Sequence, residues 1–198
     1  MKRSLSSIMS ILSGAFLIVY AFPYLMGGGE MLLRGGENDY FIESLLMLIG
    51  SSAMMVTGAL MFYGNKKYAA VAMTVSAPFY IAVFFLGYPW TLDYEAAFGT
   101  LHSPAPWYCV LYPVLVSLAV VLHAAALYFR GRKALIFAIA SAAAEIAGTV
   151  FHFKLMDHMV GHPSGFALLI PAAFVIAALF TGVFSCIGNR GSPAEKTE

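Results

Sequence analysis

Residues 141–162 read SAAAEIAGTVFHFKLMDHMVGH, an apolar segment with one acid and a cluster of His and Asp at its end. Apolar and small residues continue on its N-terminal side back to Ala134. The run is long enough to cross a bilayer of about 30 Å at about 1.5 Å per helical residue. Because a backbone in hydrocarbon must satisfy its own hydrogen bonds, the run predicts a transmembrane helix.

The rest of the chain has the composition of an integral membrane protein, with 61% hydrophobic and 11% charged residues. Soluble domains carry about 25% charged residues. Six apolar runs predict one all-α domain with six transmembrane helices, at residues 7–26, 41–63, 68–89, 107–129, 134–156 and 165–187. Residues 188–198 form a polar tail that we expect to be disordered. A net charge of +1 argues against a nucleic-acid partner.

The basic residues predict the orientation. Of the 11 Lys and Arg residues, all but Arg34 and Lys154 lie at the N-terminus, after helix 2, after helix 4 or at the C-terminus. By the positive-inside rule both termini are cytoplasmic, in a multi-pass protein of the cell membrane. We interpret the N-terminal segment as a retained signal anchor, the alternative being cleavage near Ala21.

The predicted outer connections are longer than the cytoplasmic ones and carry most of the acids and histidines. The first includes Gly27, Gly28 and Gly29, which we interpret as a flexible loop. Longer loops on a rigid scaffold usually carry function, so any polar chemistry is expected to face outward. Three prolines are expected to interrupt and kink their helices, namely Pro78, Pro113 and Pro171.

Glu145 is the candidate catalytic residue. A charge at the bilayer centre costs about 2.5–3.5 kcal/mol on insertion scales, so Glu145 should face the bundle interior. Ser141, Thr149 and His152 share its helix face, which makes a polar stripe towards the outer end. A proton relay or a contact to a metal or ligand is one interpretation. A neutral carboxyl hydrogen-bonded to a neighbouring helix is the other.

A candidate metal site lies at the outer end of the same stripe. Imidazole and carboxylate groups suit copper, zinc or iron. The candidate ligands are His152, Asp157, His158 and His162, with His102 reaching across from the loop between helices 3 and 4. The alternative is a set of solvated interfacial histidines. His123 lies apart from them and is expected to be a packing residue.

In layout the chain resembles the A subunit of the membrane ammonia and methane monooxygenases, especially the archaeal form. The local likeness is carried by Met73, Thr74 and Val75 in helix 3 and by Leu86, Gly87, Tyr88 and Pro89 at its outer end. The resemblance implies a copper-dependent monooxygenase built from three kinds of subunit, with much of the copper chemistry in the partners. It assigns no role to an individual residue of this chain.

Three functions therefore remain open. The first is a membrane subunit of a metal-dependent oxidoreductase, assembled with other membrane subunits and using copper, zinc or iron. The second is a small-molecule carrier or the substrate-binding subunit of a transporter, with Glu145 as the polar floor of a cavity. The third is a non-catalytic scaffold that holds other membrane proteins through its small-residue helix faces.

Overall fold

The structure is a computed structural model that describes residues 2–34, 38–86, 107–159 and 165–189. These residues form the six expected long helices: α1 (Lys2–Leu33), α2 (Asn38–Phe62), α3 (Lys66–Leu86), α4 (Leu111–Tyr128), α5 (Gly131–Met159) and α6 (Leu169–Asn189). Short 3-10 turns, Trp107–Val110 and Gly165–Leu168, lead into α4 and α6. The all-α prediction is confirmed for this part of the chain.

The helices are arranged as a closed ring. Each one packs against the next along the chain, and α6 packs back against α1. A smaller contact between α4 and α6 crosses the interior. Short turns join α2 to α3 and α4 to α5, so consecutive helices run antiparallel. The two ends of the ring therefore differ. One, here called the basic end, holds the termini and these basic turns. The longer connections start and finish at the other end.

Among the described residues, five helices are long and apolar enough to cross a membrane: α1, α2, α4, α5 and α6. Large apolar side chains on the outside of the ring, such as Val19 and Ile146, are 55% exposed. A lipid bilayer would cover such a surface, as expected of a multi-pass membrane protein. The helix α3, which begins with Lys66 and Lys67, is not among the five. The orientation and the kind of membrane stay predictions.

Helix α1 is longer than the sequence suggested. It runs through Gly27, Gly28 and Gly29, so their assignment to a flexible loop is wrong. The reason lies in the packing against α2, because a Cβ atom on Gly28 would lie only 3.1 Å from the Ser44 carbonyl oxygen. A small residue lets the two backbones approach closely. A salt bridge between Glu30 and Arg34 spans the last turn.

Two of the three prolines do not interrupt a helix. Pro113 and Pro171 lie in the first turns of α4 and α6, because both helices begin two residues before the proline. The first N–H groups of a helix have no intrahelical acceptor, so a proline there removes no helical hydrogen bond. Pro78 does lie inside a helix, as predicted, and so does Pro23 of α1.

The basic end is held by turns that use glycine and by one lysine. Gly64 has φ +70°, and the Asn65 N–H donates to the Leu60 carbonyl at 2.9 Å, which ends α2 in a Schellman motif. The Lys66 ammonium donates to Ser185 Oγ at 2.7 Å and lies 4.9 Å from the centre of the Phe184 ring. Lys66 therefore ties the start of α3 to the end of α6.

The helices α1 and α2 approach each other closely at two glycines. A Cβ atom on Gly58 would lie 2.7 Å from the Gly14 carbonyl oxygen and 2.8 Å from Ile18 Cγ1. The other half of the contact is equally tight, because a Cβ on Gly14 would collide with the Gly58 carbonyl. The two glycines thus set the distance between these helices.

Because the two backbones approach so closely at Gly58, Gly58→Ala should destabilise the protein. The added methyl group forces α1 and α2 apart, at a cost of about 1–3 kcal/mol for overpacking. The measurement is the melting temperature of the purified protein in detergent.

The matched control is Gly29→Ala, in the same pair of helices, where a Cβ meets nothing within 4 Å. Alanine is the better helix former, so this variant should melt at the same temperature or slightly higher. Equal melting temperatures for the two variants would contradict the close contact.

Candidate functional site

Glu145 lies at the midpoint of α5, about 21 Å from either end at 1.5 Å per residue. Its side chain is 3% exposed. Ser141, one turn earlier, is fully buried and donates a hydrogen bond to the Ala119 carbonyl of α4 at 2.7 Å. The helix face that carries Glu145 is therefore turned into the ring, as the sequence predicted.

Four tyrosines from three other helices surround this carboxyl. Tyr20 and Tyr24 come from α1, Tyr80 from α3 and Tyr112 from α4. The centre of the Tyr24 ring lies 5.5 Å from the centre of the Tyr20 ring and 5.7 Å from the centre of the Tyr80 ring. Glu145 and the other three tyrosines all lie close enough to Tyr20 to interact electrostatically with its hydroxyl. Phenol groups from three other helices therefore lie near this carboxyl.

A small cavity opens beside the carboxyl, with a volume of about 90 Å³. Its walls come from α1, α4, α5, the turn into α6 and the start of α6: Tyr24, Tyr112, Val116, Glu145, Thr149, His152, Ala167, Ile170 and Pro171. An apolar cavity of about 150 Å³ holds benzene, so this one has room for several waters or a molecule of a few heavy atoms. We refer to the cavity and its surrounding polar groups as the Glu145 site, comprising Tyr20, Tyr24, Tyr80, Tyr112, Glu145, Thr149 and His152.

Several buried polar atoms of the Glu145 site have no hydrogen-bond partner among the described residues. They are Glu145 Oε2, the hydroxyls of Tyr20 and Tyr80, and His152 Nδ1. Leaving such a group unpaired costs about 1–3 kcal/mol. Two of these residues, Glu145 and His152, also line the cavity.

His152 is the link between the Glu145 site and the predicted metal site. Its imidazole packs on Tyr112 with ring centres 4.5 Å apart. Asp157, five residues later, is exposed and lies on a different face of α5. Within the described residues, no group of three or more His, Cys, Asp or Glu side chains is placed to hold a metal ion.

The remaining predicted ligands are not located. α5 continues to Met159, so the backbone of His158 is helical, but its side chain lies outside the described residues. His102 and His162 also fall outside them. The metal site as a whole therefore stays a prediction.

A second cluster of polar side chains lies deeper in the ring, towards the basic end. Thr181 Oγ1 of α6 is 3.0 Å from His123 Nε2 of α4 and 2.7 Å from Ser13 Oγ of α1. Thr181 itself donates to the Ala177 carbonyl at 2.9 Å. Its oxygen can therefore accept from the His123 N–H. As expected, His123 is a fully buried packing residue, and its hydrogen bond helps to join three helices.

Sequence reasoning found Glu145 and His152 but missed most of the tyrosines. A charged residue in an apolar run is conspicuous, whereas a tyrosine in a membrane helix is usually an interfacial anchor. The available signal was the spacing of Tyr20 and Tyr24, four residues apart and thus on one face of the first span. Nothing in the sequence indicated that this face meets Tyr80, Tyr112 and Glu145.

The fold and the site thus define a multi-pass helical membrane protein with a buried, carboxyl-centred polar site. Comparison with known proteins finds no matching family model, no matching curated protein and no matching solved structure.

Thr181→Val should destabilise the ring. The substitution keeps the shape but removes the oxygen that accepts from His123, which leaves a buried N–H unpaired at a cost of about 1–3 kcal/mol. The free energy of unfolding, followed by circular dichroism in mixed detergent, measures this loss.

Thr74→Val is the matched control, since Thr74 is exposed and bonds only the Ala70 carbonyl of its own helix, at 2.8 Å. It should leave the stability within about 0.5 kcal/mol of the wild type, as surface substitutions do. Two variants of equal stability would show that the His123 contact contributes nothing.

Proposed function

We propose that the protein is a membrane carrier, or the substrate-binding subunit of one, and that it binds a small polar or cationic molecule at Glu145. The observation that carries the proposal is that two residues lining the cavity, Glu145 and His152, each have a buried polar atom with no hydrogen-bond partner among the described residues. A ligand with hydrogen-bonding groups would pair these atoms, and their pairing would contribute to its affinity.

The chemistry of the lining favours a cationic or donor-bearing ligand. A carboxylate attracts a cation, and aromatic faces such as those of Tyr24 and Tyr112 attract it further through cation–π interaction. Neither Lys nor Arg is found among the described residues that line the cavity, so an anionic group would lack a counter-charge. An ammonium group of small size fits both the charge and the volume.

Ligand binding would be coupled to a proton. An ionised carboxylate in the membrane interior is costly unless it is paired, and the groups that face Glu145 are phenols and the His152 imidazole. In the proposed cycle Glu145 is protonated when the site is empty and ionised when it holds a cation. Loading the site with an ammonium ion would then release a proton.

Glu145→Gln should weaken the binding of ethylammonium to the purified full-length protein in nanodiscs. The amide keeps the size of the side chain but cannot provide the negative charge, so the variant should lose at least about tenfold in affinity, which corresponds to about 1.4 kcal/mol. Isothermal titration calorimetry against ethylammonium chloride gives the affinity, and a pH-sensitive dye reports the released proton.

The matched control is Glu30→Gln, in which an exposed carboxylate paired with Arg34 is replaced. It should bind ethylammonium as the wild type does. The proposal is contradicted if the wild type fails to bind, or if Glu145→Gln binds equally well.

The metal-dependent oxidoreductase is the second candidate, and one observation favours it. His152 presents a partly buried imidazole to the same cavity as Glu145, and these two group types bind copper, zinc or iron. Copper and partner subunits both remain proposals. Native purification with metal analysis and mass spectrometry tests them: bound copper that His152→Ala removes would support this candidate, and a metal-free complex with full activity would exclude it.

A further inference from the structure

The outer surface of the ring carries an apolar groove of about 600 Å³ between α1 and the start of α6. Its described lining is entirely apolar: Ile18, Val19, Phe22, Pro23, Ala167, Leu169 and Ile170. Val19, Phe22 and Leu169 are each at least half exposed, so they face the region that lipid would fill. The volume is more than six times that of the polar cavity.

The groove and the polar cavity share a wall. Ala167 and Ile170 line both of them. On the α1 side the two spaces are equally close, since Pro23 lines the groove and Tyr24, the next residue, lines the cavity. These side chains form the wall between the lipid-facing groove and the cavity that Glu145 lines.

The helix backbone beside the groove is also weakened. Pro23 has no N–H, so the intrahelical hydrogen bond to the carbonyl of Val19 cannot form. A proline inside a helix commonly causes a kink at this place. Across the groove, Gly165–Leu168 is a 3-10 turn rather than part of α6. A proline on α1 and a 3-10 turn before α6 thus lie on the two sides of the groove.

From this shared wall we infer that the ligand is a single-chain amphiphile that enters sideways from the bilayer as the side chains of the wall move aside. Its small polar or ammonium head occupies the cavity beside Glu145, and its hydrocarbon chain lies in the groove between α1 and α6. The inference rests on the proposed function and specifies the class of its substrate. A chain in the groove would remain in an apolar environment throughout, so only the head would have to leave the lipid interface.

The geometry also explains why the cavity is small. A cavity of about 90 Å³ accommodates only the head of such a molecule, and the groove supplies the space for the rest. A wholly water-soluble ligand would need no apolar groove adjoining its site. Long-chain primary amines are therefore suitable probes, because one series varies the chain while the head stays constant.

The test compares ethylamine, octylamine and dodecylamine hydrochlorides by calorimetric titration of the full-length protein in nanodiscs. Val19→Trp adds an indole ring to the groove without changing a residue that lines the polar cavity. The affinities for octylamine and dodecylamine should fall by about tenfold, because the added ring takes space that the chain would occupy. The affinity for ethylamine should stay unchanged. Retained ethylamine binding also shows that the variant is folded.

The matched control is Val150→Trp, the same substitution on α5 at a position that is 50% exposed, against 55% for Val19. It lies outside the groove and should leave all three affinities unchanged. Since every variant is embedded in the same lipid, partitioning of the long amines into the nanodisc cancels in the comparison.

The outcomes separate the two proposals. If Val19→Trp binds all three amines as the wild type does, lateral binding of a chain is wrong while the Glu145 carrier stands. If ethylamine does not bind the wild type, and the long amines bind Glu145→Gln equally well, both proposals are wrong.

Discussion

The structure is organised around the burial of one carboxyl group in an apolar ring of helices. Glu145 lies midway along α5, far from the solvent at either end of the helix, and its side chain is 3% exposed. Burial of a polar group without compensation is unfavourable by several kcal/mol at most sites. The protein places phenol groups from three other helices around it, and a small cavity lies at its side. A site of this cost is retained where it serves a function.

The ring supplies what this arrangement needs, which is close and fixed helix packing. Glycines allow it: Gly14 and Gly58 join α1 to α2, and a Cβ on Gly182 would lie 2.7 Å from Ala138 Cβ at the contact between α5 and α6. The scaffold interpretation assigned such small-residue faces to partner proteins. At these positions the structure uses them within the chain itself.

Much of the fold could be predicted from the sequence, because hydrophobic length alone identifies membrane helices. Helix ends were harder. Gly27, Gly28 and Gly29 have the composition of a loop, yet they are helical because α2 packs against them. Pro113 and Pro171 resembled interruptions, and their harmless position became evident only from where α4 and α6 begin.

The candidate site could be predicted only in part. Glu145 is conspicuous in sequence because a charge in an apolar run requires an explanation. The tyrosines are not, since their role depends on which helices become neighbours, and periodicity within one helix carries no information about that. The packing of α6 against α1 places the groove beside the cavity, and no local sequence pattern predicts that packing. Long-range packing therefore supplied the part of the site that residue patterns could not.

The central claim is that Glu145 is the binding group and changes its protonation when a cation arrives. Infrared difference spectroscopy of the protein in lipid, before and after addition of ethylammonium, observes this carboxyl directly. The account predicts that the band of a protonated carboxyl disappears, that a carboxylate band replaces it, and that Glu145→Gln shows neither change. A wild-type difference spectrum without a carboxyl signal, or the same signal in Glu145→Gln, would contradict it.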